Sequence, residues 1–309
     1  MGFTNVYGVP GSVRSGAEAA VVDGRAVAQQ LREETAAAVA QRVADGRPAP
    51  GLATILVGDD PASQVYVGAK HRACAEAGIR SVDRRLPADV EPAQLAETIH
   101  ELNADPAVDG ILLQLPLPGA LDGGAFVELI DPRKDVDGLT VVNAGLLRQR
   151  RPGLAPCTPL GVMELLDRAQ VELHGRHAVV VGRSDLVGRP LAAMLLARNA
   201  TVTICHRYTQ ELERHTREAD VLAVAVGVPG LIGAAHVKPG AVVIDVGINR
   251  VDGALVGDVD FDAVRPLASA ITPVPGGVGP MTIACLLANT LRAAQLAETE
   301  ADGRLAPLN

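Results

Sequence analysis

Short apolar runs alternate with helical patterns along most of the chain, and this alternation restricts the fold more than any other feature. The first half carries apolar runs at 52–57 and 110–115 and a possible strand at 79–86, with helical patterns at 23–44, 63–77 and 92–103. The rhythm restarts at residue 158 with a helical pattern, four apolar runs and a last helical pattern, at 158–169, 178–181, 201–205, 221–226, 241–246 and 282–296. Strands that alternate with helices form parallel sheets covered by helices. The sequence therefore predicts an α/β protein of two domains.

Composition agrees with this fold and excludes several classes of partner. Of the 309 residues, 48% are hydrophobic and only 2% aromatic, so the core is aliphatic, which suits buried parallel strands. A net charge of −8 without a basic block does not favour binding to nucleic acid or to an anionic membrane. The first 20 residues lack the apolar segment of a signal peptide, and no apolar run is long enough to span a membrane. We expect a cytoplasmic protein.

The four cysteines are far apart in the sequence. Cys74, Cys157, Cys205 and Cys285 form no CxxC pair, so neither a disulfide framework nor a metal site is expected. They are interpreted as small core residues of a protein from a reducing compartment.

A glycine-bounded turn follows the strand at 178–181 and indicates a nucleotide site. Glycines allow backbone N–H groups to approach a pyrophosphate, and the next helix favours its charge. The turn contains Gly182, Arg183, Ser184, Val187 and Gly188. The spacing is not G-x-G-x-x-G, so an ordinary strand-to-helix turn remains the alternative.

A basic residue stands where an NAD site would carry an acid. About 20 residues after the turn, Arg207 follows the strand at 201–205. Its guanidinium suits the 2′-phosphate of NADP, with Arg183 as a possible second contact. NADP is favoured over NAD, and a purely solvent-exposed Arg207 is the alternative.

Three further segments carry candidate catalytic chemistry. Tyr66 and Lys70 are four residues apart and therefore share a helix face. A partly buried lysine there can act as a base, and a surface lysine beside a half-buried tyrosine is the alternative. Gln114 and Leu115 stand at the carboxyl end of an apolar strand, the edge at which open α/β sheets bind ligands. Asp137 lies in a segment whose carboxylates can accept hydrogen bonds from a heterocycle, although a plain acidic turn is the alternative.

A glycine- and proline-rich loop precedes the last helical pattern. Such a loop exposes backbone donors and allows a flat ligand to approach closely, although a simple linker is the alternative. Its central residues are Pro275, Gly276, Gly277, Val278 and Gly279.

In this order, the segments resemble the bifunctional methylenetetrahydrofolate dehydrogenase/cyclohydrolase family. The resemblance covers about 23–289 and rests on seven collinear segments: 66–70 (YVGAK), 110–118 (GILLQLPLP), 134–138 (KDVDG), 156–159 (PCTP), 180–184 (VVGRS), 245–249 (DVGIN) and 273–281 (PVPGGVGPM). It implies NADP-dependent oxidation of 5,10-methylenetetrahydrofolate, hydrolysis of the methenyl product to 10-formyltetrahydrofolate, and a place in one-carbon metabolism and purine biosynthesis. It also implies a homodimer.

The resemblance further implies a domain plan and residue roles. A catalytic domain of 21–158, completed by 273–300, and a Rossmann-type NADP-binding domain of 159–272 flank an active-site cleft, with an extension at 1–20 and a polar tail at 301–309. Lys70 is implied as the catalytic lysine assisted by Gln114, with Tyr66 stacked on the folate and Asp137 anchoring its pterin. The loop from Pro275 to Gly279 lines the folate site, and Ile248 contacts the nicotinamide.

Two other functions remain open from the residues alone. Another two-domain NADP oxidoreductase, acting on a hydroxy or amino acid, would use Lys70 and Asp137 but leave Gln114 and the loop without a role. A non-catalytic NADP-binding protein would need none of the catalytic set.

Overall fold

The structure, a computed structural model, describes residues 19–59 and 61–301, and for residues 61–66, 300 and 301 it describes the backbone alone. These residues form two compact units. The N-terminal unit contains 29–157 and 283–301, and the C-terminal unit contains 19–28 and 158–282. Most of the predicted extension and tail, 1–18 and 302–309, lie outside the described residues. The chain changes unit after 282, whereas the predicted domain boundary is at 273; the domain plan stays a prediction.

The elements follow one another in the order that the sequence predicts, with several short additions. Up to residue 168 they are β1 (Ala20–Val21), α1 (Gly24–Ala44), β2 (Gly51–Val57), α2 (Pro61–Glu76), β3 (Arg80–Leu86), α3 (Pro92–Ala104), β4 (Gly110–Leu113), α4 (Gly123–Val127), α5 (Val141–Arg148) and α6 (Cys157–Arg168). The remainder are β5 (His177–Val181), α7 (Gly188–Ala197), β6 (Thr201–Cys205), α8 (Leu212–Thr216), β7 (Val221–Val224), a 3-10 turn (Ala234–His236), β8 (Val242–Asp245), β9 (Asn249–Val251), β10 (Ala254–Val256), α9 (Phe261–Val264), β11 (Ala270–Ile271) and α10 (Gly279–Ala301).

The N-terminal unit is built on a parallel sheet in the order β3-β2-β4. Every residue of β2 is buried, as expected for an apolar strand covered on both faces. Ile55 and Ile111 from the sheet pack with Leu95 and Ile99 from α3 in a fully buried core. Because the strands are parallel, Gln114, directly after β4, lies at the carboxyl edge of this sheet.

The C-terminal unit is built on a second parallel sheet, in the order β1-β11-β8-β7-β5-β6. The valine run of β5 pairs with β6 on one side and β7 on the other. The turns that follow β5 and β6 therefore start from the same edge of the sheet, which brings Gly182 and Arg207 to one side. β9 and β10 form a separate antiparallel hairpin.

Differences from the sequence prediction are confined to element ends and short elements. The helix predicted at 63–77 begins two residues earlier at Pro61, because the fixed φ of proline suits a first helical turn. The helix predicted at 282–296 begins at Gly279 and continues to Ala301. The pattern did not indicate β1, a two-residue edge strand that pairs with Ala270 and Ile271. Within residues 19–59 and 61–301, no helix is long and apolar enough to cross a membrane.

Candidate active site

Lys70 lies on α2 in a partly buried position, with fully buried Val67 and Cys74 one turn to either side. Its Nζ donates a hydrogen bond to Gln114 Oε1 at 3.0 Å. Burial lowers the pKa of the Lys70 ammonium, and the nearby Asp137 carboxylate opposes this in part. A neutral amine, which has a free lone pair, is therefore favoured beyond what an exposed lysine allows.

Gln114 has its side-chain amide fixed in one orientation. Its Nε2 donates to the Leu115 carbonyl oxygen at 2.8 Å, which turns Oε1 toward Lys70. The backbone N–H of Gln114 donates to the Ile55 carbonyl at 2.9 Å and extends the sheet by one bond. The next peptide bond, Leu115–Pro116, is cis. The strand end thus presents an acceptor that holds the amine without adding a charge.

Asp137 is the third predicted residue that the structure brings to this place. Burial raises the pKa of its carboxyl, while the Lys70 ammonium acts in the opposite direction. The Cys157 thiol is a further neighbour, and burial together with the Asp137 charge raises the pKa of this thiol well above its usual value. A cysteine in such surroundings stays protonated and serves as a weak donor rather than a nucleophile.

The other members of the 134–138 segment anchor the loop that carries Asp137. Lys134 Nζ donates to three carbonyls at the end of α3, those of Leu102 at 3.2 Å, Asn103 at 2.8 Å and Asp105 at 2.8 Å. Asp135 is 1% exposed, and its Oδ2 accepts from the Thr140 N–H at 2.8 Å and Asn143 Nδ2 at 2.9 Å. The Asp137 side chain interacts instead with the charge of Lys70 and with the Cys157 thiol.

Asn289 on α10 fixes the same loop from the other side. Its Nδ2 donates to the carbonyl oxygens of Val136 at 2.7 Å and Ala155 at 2.9 Å. Gly138 has a φ of +64°, and a Cβ there would collide with the Ala155 backbone. The sequence reasoning missed Asn289 and Asn143; the available signal for Asn289 was a polar residue within the apolar run of the last helix.

The predicted nucleotide turn begins where β5 ends. Gly182 has a φ of +131°, and a side chain there would run into the Ala225 carbonyl. Gly188 begins α7, and a Cβ there would run into the carbonyl of Gly182. Ser184 Oγ accepts from the Val187 N–H at 3.2 Å and so shapes the turn. Two close backbone approaches before a helix N-terminus form a cradle that fits a pyrophosphate.

Arg183 and Arg207 are brought to one aromatic ring. Both are exposed, and their guanidinium carbons lie 5.7 Å and 4.7 Å from the centre of the Tyr208 ring. Arg207 Nη2 also donates to the Tyr208 hydroxyl at 2.7 Å. Two cations at the carboxyl edge of the sheet suit a phosphate. The sequence analysis gave Tyr208 no role.

Ile248 follows β8 and is 52% exposed, which leaves it available to a ligand. Two buried carboxylates hold the surrounding loops. Asp245 accepts from the N–H groups of Gly247, Asp258 and Val259, each at 3.0 Å. Asp258 accepts from the Val226 N–H at 2.7 Å, the Gly227 N–H at 2.9 Å and Asn249 Nδ2 at 2.9 Å. The sequence reasoning missed Asp258.

Asp245 is 3% exposed, and burial raises its pKa to about 6 against the opposing effect of its backbone donors. The Asp258 charge adds to this increase. The Asp245 carboxyl therefore titrates in the pH range in which enzymes are commonly assayed.

The glycine- and proline-rich loop belongs to the C-terminal unit, whereas Lys70, Gln114 and Asp137 belong to the N-terminal unit. Val274–Pro275 is cis, and Gly276 has a φ of +110°. Pro275 and Gly279 are exposed, while Gly277 and Val278 are buried. Tyr66 lies on α2 one turn before Lys70, and its side chain is outside the described atoms. In the described part of the chain, no cluster of three or more His, Cys, Asp or Glu side chains is arranged to hold a metal ion.

Comparison with known proteins adds an independent finding. The model of the tetrahydrofolate dehydrogenase/cyclohydrolase catalytic domain matches residues 22–137. The model of the NAD(P)-binding domain of the same family matches residues 156–298. The chain belongs to the tetrahydrofolate dehydrogenase/cyclohydrolase family. The resemblance seen in the sequence is thereby confirmed.

Individual members of the family are similar over almost their whole length. "Bifunctional protein FolD 2" of Frankia alni is 59% identical over 280 residues, which are 90% of this chain and 97% of that protein. The crystal structure of the bifunctional FolD enzyme of Campylobacter jejuni is 46% identical with a TM-score of 0.87, covering 90% of this chain and 99% of that one. The Trypanosoma brucei enzyme, solved with NADP and an inhibitor, is 42% identical with a TM-score of 0.86, covering 91% and 99%. The predicted two-domain α/β fold is confirmed.

Proposed function

We propose that this chain oxidises 5,10-methylenetetrahydrofolate to the 5,10-methenyl form with NADP, and then hydrolyses it to 10-formyltetrahydrofolate. The hydrogen bond between Lys70 and Gln114, opposite Asp137, is the observation that carries the proposal. It supplies a base whose pKa is lowered by burial, in a family whose relatives of Frankia alni and Campylobacter jejuni are described as bifunctional. The oxidation needs alignment of two rings, whereas the hydrolysis needs a base.

The C-terminal unit fits NADP. The backbone cradle of Gly182 and Gly188 would hold the pyrophosphate, with Ser184 and Val187 shaping the turn. Arg183 and Arg207 would hold the 2′-phosphate, and Ile248 would contact the nicotinamide. When bound, NADP accepts the hydride that leaves the methylene carbon of the folate. The protein contributes orientation, because holding the two reacting rings in alignment removes a large part of the barrier to hydride transfer.

The hydrolysis is assigned to Lys70. Water adds to the methenyl carbon, and one of its protons passes to the neutral Lys70 amine, which gives a neutral carbinolamine. The bond from that carbon to N5 then breaks as N5 takes up a proton and the carbinol oxygen loses its own, so that the formyl group stays on N10. Gln114 Oε1 accepts one amine hydrogen and thereby directs the lone pair. Because the positively charged substrate disfavours a second cation, it adds to the effect of burial on the Lys70 pKa.

The remaining predicted residues bind the folate. Asp137 would accept hydrogen bonds from the pterin; burial raises the pKa of its carboxyl, and the charge of Lys70 opposes this in part. We assign Tyr66 to stacking on the folate, Leu115 to an apolar contact with it, and Pro275, Gly276, Gly277, Val278 and Gly279 to lining its site. We also propose that the enzyme works in the cytoplasm, in keeping with four free, buried thiols, and that it is a homodimer, as the family resemblance implies.

Product analysis tests the proposal. The enzyme is incubated with 5,10-methylenetetrahydrofolate and either NADP or NAD, and NADPH, the methenyl compound and 10-formyltetrahydrofolate are followed separately. The proposal predicts NADPH in equal amount to the sum of the two folate products, with NADP preferred. Reduction of NADP by a hydroxy or amino acid, but not by the folate, would favour the other oxidoreductase instead. Cofactor binding without any turnover would favour a binding protein.

A further inference from the structure

We propose that Tyr208 determines cofactor specificity by positioning the guanidinium groups of Arg183 and Arg207 for the 2′-phosphate of NADP. The inference rests on the proposed function, since it concerns the same cofactor. It adds a positioning residue to the predicted site: Tyr208 acts through the two arginines and has no contact of its own with the reacting atoms.

The contacts of Tyr208 with the two arginines differ in kind. Arg207 lies over the ring at 4.7 Å and donates to the hydroxyl at 2.7 Å, so both the face and the oxygen of Tyr208 fix it. Arg183 lies at 5.7 Å from the ring centre and has the face alone. Two guanidinium groups near each other repel, and an aromatic ring attracts both because its face is negative. The ring therefore keeps two like charges together before any anion arrives.

Both guanidinium groups belong to exposed side chains and are open to an anionic ligand. In the described residues, neither Arg183 nor Arg207 forms an ion pair with a carboxylate. This differs from Arg214 in the same unit, which pairs with Glu211 at 3.6 Å. A phosphate dianion is thus the missing counter-charge, and guanidinium groups recognise it through several hydrogen bonds at once.

The backbone around Tyr208 is fixed, although its side chain is 64% exposed. The Tyr208 N–H donates to His206 Nδ1 at 3.2 Å, and the Thr209 N–H donates to the His206 carbonyl at 2.7 Å. The His206 N–H in turn donates to Thr209 Oγ1 at 2.9 Å. The turn after β6 therefore fixes the backbone that carries the ring, which lowers the entropy lost when the arginines close on a phosphate.

NAD lacks the 2′-phosphate, and this makes the inference testable. A ring that acts through the arginines affects NADPH binding alone, whereas a ring that stacks on the adenine affects NADPH and NADH equally. The variants are Tyr208→Leu, which removes ring and hydroxyl, and Tyr208→Phe, which keeps the ring. Arg207→Leu serves as the reference for loss of a phosphate contact, and Arg214→Ala is the matched control for loss of a surface cation.

Fluorescence titration of the full chain with NADPH and with NADH gives the dissociation constants. We expect Tyr208→Leu to weaken NADPH binding about 2- to 5-fold at low salt, the range for exposed cation–π contacts, without changing NADH binding. Tyr208→Phe should lose less, and Arg207→Leu about 10-fold or more. Adding Tyr208→Leu to Arg207→Leu should cause a smaller further loss than Tyr208→Leu alone, because one of its two arginines is already absent.

Two results would overturn the inference while leaving the proposed function intact. One is a Tyr208→Leu variant that binds NADPH as wild type does, and the other is equal loss of NADPH and NADH affinity. A wild-type enzyme that does not prefer NADPH would overturn both the inference and the proposed cofactor. Unchanged NADH affinity also shows that the variant is folded, so that a loss confined to NADPH supports the inference.

Discussion

Replacement of Asn289 by leucine tests how the Asp137 loop is held. The side chain is 6% exposed, and its amide donates to the Val136 and Ala155 carbonyls. Leucine has a similar size and no donor, so it removes these two hydrogen bonds, and a longer one to Cys157 Sγ at 3.7 Å, without leaving a large cavity. The Val136 carbonyl keeps the Cys157 thiol as a donor at 3.4 Å, while the Ala155 carbonyl has no second donor within the described residues.

The expected loss follows from these two acceptors. A buried carbonyl without a donor costs about 1–3 kcal/mol, and a hydrogen bond with partial compensation contributes about 0.5–1.5 kcal/mol. We therefore expect the free energy of unfolding to fall by about 2–4 kcal/mol. Urea unfolding of Asn289→Leu is compared with that of Gln295→Leu, which removes an exposed amide from the same helix.

The loop also positions Asp137, so the loss extends to catalysis. KM for the folate should rise in Asn289→Leu, whereas KM for NADP should not change, since the cofactor residues lie in the other unit. A difference between Asn289→Leu and Gln295→Leu below about 0.5 kcal/mol, the usual scatter of surface changes, would refute the reasoning.

Three further predictions concern single residues. Gly138→Ala adds a Cβ against the Ala155 backbone at a φ of +64° and should lower the free energy of unfolding by about 3 kcal/mol. Gly46→Ala, at a φ of +81° with open space around it, should lower it by only about 1 kcal/mol in the same unfolding assay. Asp245 has a pKa raised from 3.8 to about 6, so the folded state binds its proton more tightly, and stability falls as pH rises between these values. The loss of free energy of unfolding amounts to about 3 kcal/mol, and it should be absent from Asp245→Asn when unfolding is followed at several pH values. An equal dependence of stability on pH in wild type and Asp245→Asn would contradict the prediction. Gln114→Glu places a negative charge beside the Lys70 ammonium and raises the pKa of Lys70, so the acid limb of the pH profile for hydrolysis should move to higher pH. An acid limb that does not move would exclude Lys70 as the titrating group.

The sequence predicted the parallel sheets because most of their central strands are apolar runs, with the charged β3 as an exception. It did not predict β1, whose only partner in the sheet is about 250 residues away, because a two-residue strand carries no periodicity. Lys70, Gln114 and Asp137 were candidates from their local segments, but only the family resemblance joined them in one site, since no local spacing connects three segments so far apart. Asn289, Asp258 and Tyr208 were missed because their partners are determined by tertiary contacts, which a pattern along the chain does not contain.

The most direct test of the account separates the two reactions in Lys70→Met. Hydrolysis of 5,10-methenyltetrahydrofolate and NADP-dependent oxidation of the methylene form are measured on this variant. Lys238→Met, which removes a half-exposed lysine paired with Asp220, is the matched control. We expect Lys70→Met to lose the hydrolysis by about 100-fold or more, the scale of a general base, while Lys238→Met retains both activities. A Lys70→Met enzyme that hydrolyses the methenyl compound at the wild-type rate would contradict the central claim.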